Sequence, residues 1–224
     1  MLTLGIETTG RFCAAAIFNP ADARIAAEIS RGIGRGHSEA IVGIIEAALQ
    51  TAGAGWRDLR RIAVASGPGS FTGIRAGVAA ARGLALALGV EAVGIGVLEA
   101  LAAEAPDGSP VLAAIAARDG LVFFQGFDAA GEPVAPASCD TPKQAAGFLV
   151  SRLAADAILC GDAAEQVIAA GAMLRPVAHR LGEPTAGRIA RLGAVADPAG
   201  HPPVPAYVNP PGAKPQARAA VRLA

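Results

Sequence analysis

Residues 62–88, IAVASGPGSFTGIRAGVAAARGLALAL, decide the reading of the whole chain. Ile62 and Val64 belong to an apolar, β-branched run that enters Ser66-Gly67-Pro68-Gly69-Ser70-Phe71-Thr72-Gly73. Directly after it, Ile74, Val78, Ala81, Ala85 and Leu88 recur at spacings of four, three, four and three, the period of an amphipathic helix. The order is strand, glycine-rich turn, helix. Three glycines within seven residues let the backbone take positive φ and approach its neighbours closely. Thr72 is the expected N-cap, which aims the first helical N–H groups back at the turn.

Such a turn either cradles a phosphate or simply joins two elements. Neither nucleotide fingerprint is met: no Lys-Ser or Lys-Thr follows the last glycine, and the spacing is not G-x-G-x-x-G. The helix that follows has one smooth side, where Gly73 and Gly77 stand four apart and Ala80, Ala81 and Leu84 continue it. Small residues let a second backbone come close, either in the chain's own core or across a helix-on-helix interface.

Upstream, residues 2–7, 13–18 and 24–30 read as strands joined by Thr8-Thr9-Gly10 and Asn19-Pro20-Ala21-Asp22, an antiparallel meander. Residues 32–36 are a loop. A helix then opens at His37-Ser38-Glu39, with Ser38 as expected N-cap, and carries the stripe Ile41, Ile44, Ile45, Ala48, Leu49 and Ala52. Val42 widens that stripe beyond what one sheet face needs. Downstream, residues 91–95 read as a strand and 96–102 as a short helix, giving β-β-β-α-β-α-β-α.

Pro106-Asp107-Gly108-Ser109-Pro110 is the expected boundary between two units, 1–106 and 107–224. In the second unit, residues 111–116, 121–127, 133–138 and 157–160 read as strands. Residues 143–152, 163–170 and 185–196 read as helices, the last capped by Thr185. From Asp197 the chain is Pro-rich and is expected to run extended along the body.

Charge and cysteine usage narrow the function classes. The net charge is zero and no basic run exists, so the chain lacks the electrostatic footprint of a nucleic-acid binder; any RNA is expected to be reached through a partner. Three cysteines, Cys13, Cys139 and Cys160, form no C-x-x-C and are odd in number, which suits a reduced, cytoplasmic setting. The N-terminus has no basic region followed by an apolar run, and no membrane span is expected.

Catalytic constellations are sparse. His37, His179 and His201 form no H-x-x-x-H pair and no metal cluster. Ser70 and Thr72 do not sit in G-x-S-x-G, and no triad assembles around them. No catalytic residue and no metal ligand is assigned.

GPGSFTGIRAG, preceded by HSE at a helix start and by a three-strand opening that ends Glu-Thr-Thr, resembles the TsaB (YeaZ-like) family. Gly94-Ile95-Gly96-Val97-Leu98-Glu99-Ala100-Leu101-Ala102, Ala117-Arg118, Pro205-Ala206-Tyr207 and Ala213-Lys214-Pro215 extend the likeness over nearly the whole chain. These proteins are dimerisation subunits of the bacterial tRNA threonylcarbamoyladenosine machinery. The resemblance implies a two-lobed actin/Hsp70/sugar-kinase fold of the α/β class, with mixed sheets flanked by helices. It implies a non-catalytic role beside TsaD, the enzyme that modifies adenosine 37 of tRNAs reading codons that start with A.

It further implies pairing through the two N-lobe helices, at about residues 38–52 and 74–88. The interface residues are then Ile41, Ile44, Ile45, Ala48, Gly73, Arg75, Gly77, Val78 and Ala81. A homodimer is expected for the free chain, and TsaE, an ATPase, is a second expected partner. Glu7, Thr8, Thr9, Gly67 and Gly69 are the expected cleft residues, with no cofactor bound by the chain alone and a nucleotide shared at most with partner subunits.

Some positions depart from the family. Glu7 stands where Asp is usual, Ala116-Ala117-Arg118 where Asp-Ala-Arg is usual, and Val208-Asn209 follows Tyr207 in place of Leu-Arg. In the catalytic relative two histidines, four apart, hold a metal; by this resemblance Val97 and Leu101 occupy their places, and neither side chain ligates. The alternatives are a nucleotide-binding ATPase or kinase of the same fold and, disfavoured for want of ligands, a metallopeptidase. The first would need an acidic first phosphate loop and a second-lobe D-x-G, where Gly161-Asp162-Ala163 is a poor match.

Overall fold

A computed structural model describes residues 2–106, 108–154, 156–171, 178–179, 182 and 185–208. The opening meander forms as the tight turns predict: β1 (Leu2–Glu7), β2 (Phe12–Asn19) and β3 (Arg24–Gly32) pair antiparallel in sequence order. The chain then crosses through α1 (His37–Thr51) to β4 (Leu59–Gly67), which lies parallel to β1, and through α2 (Phe71–Leu88) to β5 (Glu91–Gly96), parallel to β4. A short α3 (Val97–Ala102) leaves this first sheet, whose order is β3-β2-β1-β4-β5.

The second sheet repeats the plan. It contains the meander β6 (Val111–Ala116), β7 (Val122–Phe127) and β8 (Ser138–Asp140), followed by α4 (Pro142–Arg152), β9 (Ile158–Cys160), α5 (Ala164–Ala169) and β10 (Ala178–His179). Its order, read from the meander edge, is β8-β7-β6-β9-β10, the same path as the first sheet. Two mixed five-stranded sheets with one repeated topology make the two-lobed α/β architecture expected above. Two places differ: β10 was not expected at residues 178–179, and at the other edge residues 133–137 do not pair as a strand. Pro133 makes an isolated bridge to Phe127, and with Pro133 and Pro136 unable to donate, regular pairing waits until Ser138.

α1 and α2 cover one face of the first sheet, burying Ile41, Ile44, Ile45, Ile74, Val78 and Ala81 against Leu4, Ile6, Ile62 and Val64. Both helices begin elsewhere than expected. Gly36, in the left-handed region at φ 84°, is the N-cap of α1; Ser38 lies in the first turn, its hydroxyl donating to Glu39 Oε2 at 2.9 Å. The start is pinned by buried His37, whose Nε2–H donates to the Phe12 carbonyl oxygen at 3.2 Å. At α2 the cap is Ser70, not Thr72: its Oγ accepts from the Gly73 N–H at 3.3 Å. The Ser70 N–H donates to the Thr9 carbonyl oxygen at 2.7 Å, which holds Ser70 extended and lets the helix begin at Phe71.

The opposite face of the first sheet is covered by the last helix, α6 (Ala186–Val195), capped by the Thr185 hydroxyl as predicted. This corrects the assignment of all residues after 107 to the second unit, because residues 185–208 return to the first. The close approach has a local cause: a Cβ on Gly5 would collide with the Ala186 carbonyl oxygen, and one on Gly193 with Ala63. Arg61 ties down the C-terminal end of α6, its Nη1 donating to the carbonyl oxygens of Gly193, Ala194 and Ala196 at 3.2, 3.2 and 2.9 Å. Its Nη2 meets Glu91 Oε2 at 2.7 Å. Between the sheets, α3 and Ile189 join Val93 and Ile95 to Val111, Ile115 and Phe127 in one core.

α2 is long and apolar enough, with a mean hydropathy of 1.3 over 18 residues, to cross a membrane by length and composition. That corrects the expectation that no segment qualifies. Here one side of the helix is spent on the sheet, and Arg75 and Arg82 stand on the other.

Candidate functional site

Because β1 and β4 run parallel with Ile6 opposite Val64, their C-terminal ends bring the Thr8-Thr9 turn against the glycine turn. All five expected cleft residues, Glu7, Thr8, Thr9, Gly67 and Gly69, therefore meet at one place. The first three are buried. Glu7 Oε1 accepts from the Thr9 N–H at 2.5 Å and from the Thr9 hydroxyl at 2.6 Å. The Thr8 hydroxyl donates to the Gly73 carbonyl oxygen at 2.8 Å.

The glycines are explained by what touches them. A Cβ on Gly69, which also has φ 153°, would lie 2.6 Å from the Thr9 carbonyl oxygen; one on Gly73 or Gly77 would collide with Thr8. The smooth side of α2 thus receives the chain's own turn. Around this turn the Thr9 and Ser70 N–H groups donate within the chain, and the Glu7 carboxylate lies beside them.

A Pro-rich segment, residues 197–208, closes over this end of the sheet; it is not extended throughout as expected, because it opens in a turn in which the His201 N–H donates to the Asp197 carbonyl oxygen at 3.0 Å. The Gly94 N–H donates to the His201 carbonyl oxygen at 2.9 Å and the Ala206 N–H to that of Ser66 at 2.8 Å. The segment ends at the head of α2, where the Tyr207 ring stacks on Phe71 with centroids 5.2 Å apart. Asn209 and Ala213-Lys214-Pro215, which entered the family comparison, lie outside the described residues, as does the side chain of His179.

Eight of the nine expected interface residues lie inside the chain. Ile41, Ile44, Ile45, Ala48, Gly73, Gly77, Val78 and Ala81 are all buried within the chain, and of the nine only Arg75 is exposed. The core claims them because the sheet beneath offers the larger apolar surface. The outward face of the helix pair is built from other residues: Val42 (46% exposed) and Gly43 on α1, and Phe71, Ala79, Arg82, Gly83 and Leu86 on α2. Leu86 is 86% exposed. Gly43 and Gly83 face open space. The signal for this face lay in Val42, outside the core stripe, and in Leu86, four residues beyond Arg82 on the polar side.

Elsewhere the chemistry is quiet. Val97 and Leu101 stand one turn apart on α3, both buried in apolar surroundings. Among the described residues no three His, Cys, Asp or Glu side chains gather as a metal site. Burial, and then the charge of Glu7, pushes the Cys13 thiol up to about 11. Burial, and then Glu104, pushes Cys160 to about 12. Both are free thiols held protonated. Glu39 is held below the usual carboxylate range by its own backbone N–H and then by the Ser38 hydroxyl.

The family model described as TsaD, tRNA N6-adenosine threonylcarbamoyltransferase, matches residues 28–180. This chain belongs to the TsaD family. Relatives at the sequence level include the tRNA threonylcarbamoyladenosine biosynthesis protein TsaB of Escherichia coli K12, 34% identical over 127 residues that make up 55% of this chain and 54% of the relative. TsaB of Haemophilus influenzae is 32% identical over 124 residues, 54% of this chain and 51% of the relative. The tRNA N6-adenosine threonylcarbamoyltransferase of Jannaschia is 44% identical over 61 residues, 27% of this chain and 17% of the relative. The chain spans about half the length of the curated TsaB relatives it matches.

Solved structures extend the likeness over the whole fold. YeaZ from Pseudomonas aeruginosa superposes with a TM-score of 0.75 at 22% identity, covering 92% of this chain and 99% of YeaZ. A second Pseudomonas aeruginosa structure, of a protein with similarity to peptidase YEAZ, gives 0.74 at 24% identity, covering 93% and 99%. This TsaD-family chain therefore has the YeaZ fold, and the resemblance to TsaB read from its motifs stands.

Proposed function

We propose that this chain is a TsaB-type, non-catalytic subunit that binds TsaD and supports threonylcarbamoylation of adenosine 37 in tRNAs reading A-starting codons. The observation that carries the docking role is the outer face of α1 and α2. A helix pair that has already buried its core side still presents Val42, Ala79 and Leu86 with Gly43 and Gly83, so a second helix pair can approach closely. The TsaB relatives supply the pathway. Val97 and Leu101 support the non-catalytic role, since neither can take up a metal.

The free chain pairs with a second copy through the same face, and TsaD displaces that copy. TsaE joins the assembly rather than this chain alone. The chain holds no nucleotide of its own; one shared at the subunit junction takes its phosphate donors largely from a partner, since the Thr9 and Ser70 N–H groups are engaged and the Glu7 carboxylate lies beside them. tRNA is reached indirectly. Three free cysteines, two of them buried, support a cytoplasmic setting.

Light scattering on size-exclusion chromatography tests this reading, with the chain alone and then with its cognate TsaD. A homodimer that gives way to a one-to-one complex supports it. A chain that stays separate from TsaD overturns it.

A further inference from the structure

Residues 197–208 are attached in an unusual way. They cross the ends of β5 and β4, yet Pro198, Pro202, Pro203 and Pro205 have no N–H to donate. The backbone bonds recorded between this segment and the sheet are Gly94 N–H to His201 and Ala206 N–H to Ser66. Its far end is held by side chains instead. Arg75 Nε–H donates to the Tyr207 hydroxyl oxygen at 2.9 Å, the guanidinium carbon lies 3.8 Å from the Phe71 ring centroid, and the two aromatic rings stack.

That clasp is open to solvent, with Phe71 38% and Tyr207 40% exposed. It also belongs to the docking face: Phe71, Arg75, Ala79, Arg82 and Leu86 follow one another at spacings of four, four, three and four, a single exposed stripe of α2. Beneath the segment, the Ala206 carbonyl oxygen stands 2.8 Å from where a Cβ on Gly67 would be, so it covers the glycine turn directly.

We propose that residues 197–208 are a latch. A helical partner seated on the outer stripe of α2 takes over Phe71 and Arg75, releases Tyr207, and uncovers the turn from Ser66 to Gly69. Docking on one face is thereby coupled to access at another, through one exposed hydrogen bond and one ring stack. The coupling rests on the docking reading above.

Amide hydrogen exchange on the full chain tests it, with Gly94 and Ala206 as reporters. In the free protein, Tyr207→Phe and Arg75→Ala should each speed exchange at both amides by about tenfold, the factor expected from one lost hydrogen bond, while amides of β1 and β4 keep their rates. Unchanged reporters in both variants overturn the latch, as does acceleration shared by the whole first sheet. Adding cognate TsaD to the wild-type chain should protect α2 and speed exchange at Ala206. Protection of α2 with Ala206 unchanged overturns the latch and leaves the docking reading standing. No protection anywhere on α2 overturns both.

Discussion

Thr8 and Gly73 hold each other where β1 ends beneath the start of α2. The Thr8 hydroxyl donates to the Gly73 carbonyl oxygen at 2.8 Å, and a side chain on Gly73 would collide with the Thr8 carbonyl oxygen. This contact settles what the smooth side of α2 is for. Gly73 and Gly77 are there so that β1 can turn beneath the helix, and the first prediction follows from it.

Gly77→Glu should damage the fold rather than an interface. The new carboxylate would be driven against Thr8 and Val64 with no partner, a cost of about 3–5 kcal/mol. Thermal unfolding should fall by roughly 10 °C or more. A variant that keeps its wild-type melting temperature and loses only TsaD binding would contradict the assignment of this side to the core.

Leu86→Glu should do the reverse. Leu86 is 86% exposed, so the folded chain should lose no more than about 0.5 kcal/mol. Binding to TsaD, and self-association of the free chain, should weaken by about tenfold or more, because a charge would be desolvated in the apolar part of the interface. Val42→Glu should act alike, and titration by calorimetry beside a melting curve separates the two effects.

Arg61→Ala should loosen α6. The guanidinium answers three carbonyl oxygens at the end of that helix and pairs with Glu91, so its removal should cost about 2 kcal/mol. Amide exchange should rise first along residues 186–195. Arg61→Lys should recover only part of the loss, since an ammonium lacks the planar fork that serves several acceptors at once.

The buried thiols make a prediction in the alkaline range. Cys13 and Cys160 have folded values of about 11 and about 12, raised above the ordinary 9.0. Below pH 9 both states keep these protons and stability is unaffected. Above it the unfolded chain ionises first, so stability should fall as pH rises, by at most about 1.4 kcal/mol per unit for each thiol. Urea unfolding at pH 8 and pH 10.5 should show the drop, and Cys13→Ala should lessen it. At pH 8 an alkylating reagent should label half-buried Cys139 in the folded protein well before the other two.

Much of the fold was legible because it is local. The stripes of α1 and α2, the Thr185 cap and the repeated turn chemistry each follow from neighbouring residues whose period or hydrogen-bonding type acts within a few positions. The caps at Ser38 and Thr72 were misread because a contact distant in sequence chose another start: His37 reaching Phe12 in one case, Ser70 held by Thr9 in the other. The candidate site divided in the same way. Glu7, Thr8, Thr9, Gly67 and Gly69 lie together where β1 and β4 end, whereas eight of the nine residues read as interface are buried in the core.

By itself, then, the sequence determined the order and kind of most elements, though not β10 or the strand edge near Pro133, and, through GPGSFTG and HSE, the family. Period and turn chemistry are local, and motifs are words. Only the tertiary structure decided which side of each helix faces inward, since Gly73 and Gly77 look as smooth as Gly43 and Gly83 until a sheet lies against one pair. It alone returned α6 to the first sheet and brought Tyr207 to Arg75. A stripe can say that it will be buried but not against what, and two residues that meet across 132 positions carry no trace of it in their neighbours.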